Sequence, residues 1–97
     1  MFKLLKTDRA NEDLKKLEEN KHLQKRPKVV RKALGFLQVN PKHPGLKTHK
    51  YETLSREVGY EVFEAYAENN TPCPYRVFWH YGPGPRVITI VAITAHP

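Results

Sequence analysis

Tyr75-Arg76-Val77-Phe78-Trp79-His80-Tyr81, then Gly82-Pro83-Gly84-Pro85, then Arg86-Val87-Ile88-Thr89-Ile90-Val91-Ala92-Ile93-Thr94, is the passage whose reading decides the fold. Its first part alternates Tyr75, Val77, Trp79 and Tyr81 with Arg76, Phe78 and His80, the period of two expected of a strand with unlike faces. The Gly and Pro residues make a turn, since glycine admits positive φ and proline interrupts regular pairing. The last part is apolar on both faces, through Val87, Ile88, Ile90, Val91 and Ile93, which marks a central strand. Upstream, Glu61–Glu68 alternates Phe63, Ala65 and Ala67 with Val62, Glu64 and Tyr66, and Asn69-Asn70-Thr71-Pro72 turns the chain. Three strands in succession predict an antiparallel meander.

Further toward the N-terminus the period changes. Ala10, Leu14 and Leu17 repeat at i, i+4, i+7, with Thr7 or Asp8 placed to cap the helix and Asn20 to end it. Glu12 with Lys16 and Lys15 with Glu19 are opposite charges at helical spacing on the other side. Pro27 suits the first turn of a second helix carrying Val30, Leu34 and Leu37, which Asn40-Pro41 stops. Leu46–Leu54 is a strand candidate after the loop Pro41-Lys42-His43-Pro44-Gly45, and Phe2–Leu5 a short edge strand. The expected fold is α+β: an N-terminal helical hairpin packed on a twisted antiparallel sheet of three to four strands, one domain over residues 1–97.

Composition narrows the class. The chain has 97 residues, 39% of them apolar, enough for a modest core and against disorder. Val87–Ala95, its longest apolar run, is about half the roughly 20 residues that a membrane-spanning helix needs. The segment Met1–Lys6 turns charged before a signal sequence takes shape, and a lone Cys73 excludes a disulfide framework and a cysteine-based zinc site. A reduced, cytoplasmic protein without membrane association is expected. Net charge is +7, yet residues 21–50 hold nine of the 17 Lys and Arg and no acid. The other 67 residues hold eight cations against ten acids, so the whole excess lies in one third of the chain. That asymmetry points to an acidic or polyanionic partner, or alternatively to a solvated helix face.

Nothing resembles a glycine-rich phosphate loop, and the five histidines show no spacing typical of metal ligands, so neither a cofactor nor a metal is expected. Arg76 and His80 share a strand face, and His96 has the parity of Thr94 on the strand beside it. Such a set suits phosphodiester chemistry, because a guanidinium neutralises charge developing on phosphorus and imidazoles move protons near neutral pH. The competing reading pairs Arg76 with Glu64 across the sheet and leaves both histidines as surface residues. Tyr51, Tyr66, Phe78 and Tyr81 are of a type that stacks on bases of a single strand, although strand aromatics more often fill cores. Cys73, between two prolines, reads as a neutral thiol.

The order of elements resembles one known family. A short strand, a basic helical hairpin, Asn40-Pro41-Lys42-His43-Pro44-Gly45-Leu46, Tyr75-Arg76-Val77-Phe78-Trp79 and Ile88-Thr89-Ile90-Val91-Ala92-Ile93-Thr94-Ala95-His96 follow one another as in the RelE/ParE superfamily of bacterial type II toxin–antitoxin toxins. The resemblance covers nearly the whole chain. It implies two helices on a twisted antiparallel sheet and, for the RelE-like branch, an endoribonuclease that cuts mRNA on the ribosome without a metal and so inhibits translation. The family's strand arginine falls on Arg76 and its terminal basic position on His96, with His80 a further acid–base candidate. Lys28, Arg31, Lys32, Lys47, His49 and Lys50 are then the residues expected to hold mRNA or ribosomal RNA. An acidic antitoxin is implied as the protein partner. The same fold also serves ParE-like toxins, which bind gyrase, and a binding homologue without activity is a third option.

Overall fold

Helix α1 (Asp8–Glu19) starts on the cap that the sequence provides: Thr7 has an extended backbone and its hydroxyl accepts the Ala10 amide at 3.1 Å. Asp8 adds a negative charge to the first turn, where the helix dipole favours it. Ala10 and Leu17 are buried and Leu14 packs beside them, so the i, i+4, i+7 stripe is the face that meets the sheet. The surface pairing differs from expectation: Arg9 lies 3.8 Å from Asp13 in α1, and Glu18 bonds Arg31 of the second helix. After a 3₁₀ turn at Lys21–Leu23 comes α2 (Arg26–Val39), with Pro27 in its first turn. It buries Pro27, Val30, Ala33, Leu34 and Leu37 and ends at Asn40, ahead of Pro41.

The structure is a computed structural model that describes residues 1–23, 25–69 and 71–95. Its sheet has five strands in the order β1-β5-β4-β3-β2: β1 (Lys3–Lys6), β2 (His49–Lys50), β3 (Phe63–Tyr66), β4 (Tyr75–Tyr81) and β5 (Val87–Ala95). The expected antiparallel meander is present in β3, β4 and β5. The edge strand at the N-terminus is present too, but it runs parallel to β5, pairing Lys3 with Val87 through to Lys6 with Ile90. The sheet is therefore mixed and has more strands than the three to four expected. β5 has a neighbour on both sides, which accounts for its apolar character on both faces.

Leu46–Leu54 differs most from expectation. It starts on the last residue of a 3₁₀ turn at Pro44–Leu46 and holds a left-handed Lys47 at φ 47° and only two strand residues, after which a third helix, α3 (Glu52–Val58), begins. α3 closes at Gly59, whose φ of 81° is the left-handed conformation that glycine tolerates best. Seven residues are too few to hold a helix alone, so tertiary contacts form it. The buried Ser55 hydroxyl accepts the Val62 amide at 2.9 Å and donates to the Tyr51 carbonyl at 2.7 Å, tying α3 to the start of β3.

The main core lies between α1, α2 and the sheet, around Leu37, Leu46, Trp79, Ile88 and Ile90. A smaller one, Val62, Phe78 and Ala92 with Leu54 and Tyr51 against it, lies under α3 on the other sheet face. A bulge in β5 serves both. Phe78 pairs with Ala92 but Trp79 with Ile90, so Val91 is the extra residue. Ile88, Ile90 and Ile93 therefore all reach the main core, while Val91 and Ala92 meet the smaller one. α1 takes up backbone groups around the bulge: the Thr7 hydroxyl donates to the Val91 carbonyl at 2.8 Å, and Asp13 accepts the Ile93 amide at 2.9 Å. No helix among the described residues is long and apolar enough to cross a membrane.

Candidate functional site

Strand register assembles the site. His49 pairs with Glu64, Glu64 with Phe78, Tyr66 with Arg76 and Arg76 with Thr94, so these side chains share the sheet face that carries α3. α3 covers Val62, Phe78 and Ala92, and beyond Phe78 the same face becomes polar. Arg76 donates from Nη1 to Glu64 Oε2, which bears out the cross-sheet pairing open from sequence. The other carboxylate oxygen, Oε1, lies 2.8 Å from His49 Nε2. Both oxygens of Glu64 are thus held, and the residue is 2% exposed.

Arg76 is 8% exposed, with its guanidinium carbon 4.9 Å from the Phe78 ring centroid. Among the described residues its Nε has no hydrogen-bond acceptor, a buried donor left to spare. Tyr66 stands edge-on to the His49 ring, with centroids 5.8 Å apart. Burial raises the Tyr66 phenol above its ordinary 10.0, and the charge and hydrogen bonding of Glu64 raise it further against an opposing pull from Arg76. It therefore stays protonated at neutral pH. Carboxylate, imidazole, phenol and guanidinium in contact supply a proton acceptor, two proton carriers and a fixed positive charge.

The expected residues fall in different places. Arg76 is at the centre of this cluster, and so is His49, which the sequence reading assigns to RNA backbone contact. His80 is not brought to Arg76: they lie four positions apart, about 13 Å along β4. His80 packs against Tyr60, with ring centroids 4.6 Å apart, and its Nδ1 lies 2.8 Å from the Tyr81 carbonyl. His96 lies outside the described residues. Ala95, which precedes it, pairs with Tyr75, so the described part of β5 ends beside the cluster.

Lys28, Arg31 and Lys32 are exposed on α2, but Arg31 Nη1 lies 2.8 Å from Glu18 and the Lys32 ammonium sits over the Phe36 ring at 5.7 Å. Lys50 lies 3.7 Å from Glu52 and 4.0 Å from Glu61. Arg26 is drawn toward Glu68 at 3.7 Å. Acids from outside the basic segment therefore neutralise part of it, a pairing that a count along the chain cannot register. Lys47 has no such partner among the described residues and lines a cleft with Lys42 and His49.

Tyr66 as a cluster member and His49 as the second partner of Glu64 escape the sequence reading. The signal for Tyr66 is its parity with Glu64 on β3. For His49 there is none, because β2 is too short to show a period. Among the described residues no three of His, Cys, Asp and Glu converge as metal ligands do.

No protein-family model matches the chain, and no curated protein matches it in sequence. Two solved structures match its fold. A metal-bound toxin from Helicobacter pylori superposes with a TM-score of 0.71 at 18% identity, covering 99% of this chain and 96% of that one. The RelE–RelB complex of Pyrococcus horikoshii OT3 contains a chain that superposes with a TM-score of 0.66 at 14% identity, covering 97% of this chain and 93% of that one. At such identities the likeness is one of fold: the chain has a RelE-like toxin fold.

Proposed function

We propose that this chain is the toxin of a toxin–antitoxin system and a metal-independent endoribonuclease, acting in the cytoplasm on mRNA at the ribosome as one domain over residues 1–97. The observation that carries the reading is the contact of Glu64 with both Arg76 and His49 at the polar end of a RelE-like sheet. In the reaction a ribose 2′-hydroxyl attacks the adjacent phosphorus, the P–O5′ bond breaks, and a 2′,3′-cyclic phosphate and a 5′-hydroxyl result. Glu64 takes the hydroxyl proton, the Arg76 guanidinium balances the charge on the phosphorane, and a histidine protonates the leaving 5′-oxygen. His49 is in contact with Glu64 and His96 follows directly on β5, so these two are the donors proposed; His80, at the far end of β4, is assigned to RNA contact. Lys28, Lys32, Lys47 and Lys50 hold the ribose-phosphate backbone. An acidic antitoxin neutralises the toxin by covering this basic surface.

The test is incubation of the purified protein with programmed ribosomes, followed by mapping of cut sites. Cleavage by the wild type that Glu64→Gln and Arg76→Lys each reduce at least 100-fold supports the reading. Uncut message refutes it.

One observation favours a second reading. Arg76 is nearly buried and Glu64 has both oxygens occupied, the arrangement of a structural ion pair. On that reading the chain is a non-nuclease member of the fold that binds a protein, gyrase or an antitoxin. Growth arrest that survives Arg76→Lys, with message intact, selects it.

A further inference from the structure

A second set of unsatisfied groups lies at the other end of β4. The loop after α2 and the 3₁₀ turn at Pro44–Leu46 stand off from the sheet and, with the edge strand β2, leave a cleft of about 440 Å³. Trp79 and Tyr81 form its aromatic wall, their rings nearly perpendicular with centroids 4.9 Å apart. Lys42, Lys47, Thr48 and His49 line the other side, and no Asp or Glu lines it. Trp79 is 1% exposed, and its indole N–H has no acceptor among the described residues. A buried donor is costly to leave unpaired unless something supplies an acceptor. The cleft therefore offers aromatic faces, a spare N–H donor and two ammonium groups, with no carboxylate to repel an anion. An adjoining hollow of about 430 Å³ shares Tyr81 but includes Glu61, which makes it the poorer place for negative charge.

The geometry points to this cleft as a nucleotide subsite: a base of single-stranded RNA stacks on Tyr81 and accepts the Trp79 N–H, while Lys42 and Lys47 hold its phosphate. His49 on the edge strand lines the cleft and also reaches Glu64 on the other sheet face through Nε2, so a nucleotide bound here lies around the sheet edge from the one that is cut. The identification of RNA rests on the proposed nuclease activity; the base-and-phosphate chemistry of the cleft does not. The two cations and the acid-free lining favour a nucleotide over an apolar peptide.

Trp79 is the only tryptophan of the chain, so its fluorescence reports on the cleft directly. The probe is a short 2′-deoxy oligonucleotide, which lacks the attacking hydroxyl and stays uncut. Saturable quenching of Trp79 is expected. The pair Lys42→Ser and Lys47→Asn, with asparagine chosen because position 47 is left-handed, should weaken binding at least 10-fold. It should also flatten the log–log salt dependence by about 0.7, the one phosphate that the two lysines hold on a single strand. Tyr81→Ala should weaken binding roughly 5- to 150-fold. A charge-matched control, Lys3→Ser with Lys15→Ser, should leave affinity unchanged. Absence of quenching, equal loss in the control pair, or quenching by an acidic peptide but not by the oligonucleotide overturns the assignment. Message cleaved by the wild type with KM unmoved by the Lys42 and Lys47 changes also overturns the subsite, yet leaves the proposed activity standing. Quenching without any cleavage does the reverse.

Discussion

The two ends of β4 handle buried polarity in opposite ways. At its start, Arg76 meets Glu64, Glu64 meets His49, and the charges close on one another. At its end, Trp79 keeps an unpaired N–H, and Lys42 and Lys47 face a cleft that holds no acid. Phe78 under α3 lies between the two. The difference teaches what a small basic fold gains from a single well-placed carboxylate. Glu64 makes a buried guanidinium tolerable and poises it, whereas the open end stays incomplete until a ligand supplies acceptors.

The closed end breaks most visibly. Glu64→Ala strands Arg76 in the sheet without its counter-charge, and stability should fall by about 3–5 kcal/mol in denaturant unfolding. A loss below about 1 kcal/mol would mean that solvent already reaches the arginine. The helix between the ends comes next. Ser55→Ala leaves the Val62 amide buried without its acceptor, and a loss of about 1–3 kcal/mol with faster amide exchange across α3 is expected.

A titration sharpens the same contrast. Tyr66 has its phenol pKa raised in the folded protein, so the protonated form is the one the fold favours. The sign follows: its contribution is full below the unfolded value near 10, and fades as pH climbs through the higher folded value. Phenolate absorbance of wild type against Tyr66→Phe should lack a component near pH 10 and gain it above. The smallest effect is on α2. Arg31 and Glu18 are both largely exposed, so Arg31→Ala should change stability by less than about 1 kcal/mol, and less again in high salt. A larger loss would place that pair among the structural contacts of the closed end.

Much of this is legible in the sequence. Thr7 and Asn20 bound α1, Pro27 opens α2, and the alternation in Tyr75–Tyr81 separates the residues that face the helices from those that do not. Arg76 and Glu64 share a face by parity alone, so their pairing was among the readings open from the start. The relation of His80 to Arg76 shows where parity stops. Both lie on one face, but one face of a seven-residue strand is long, and α3 with Phe78 occupies its middle. His49 shows the complementary case, since two strand residues carry no period and its contact with Glu64 exists only through pairing with β3.

By itself, then, the sequence determined the two long helices with their ends, the edge strand and the strands of the meander, and which of their side chains face the core. Those are properties of local periodicity and capping, written within a few turns of chain. Tertiary structure alone decided the parallel direction of β1, the short helix α3, the bulge at Val91 and the meeting of His49, Glu64 and Arg76. In each case a partner remote in sequence decides. A side-chain pattern states which face is buried, but not the partner that buries it; seven residues do not hold a helix without neighbours; and a strand can insert an extra residue wherever another element satisfies its backbone, as α1 does here through Thr7 and Asp13.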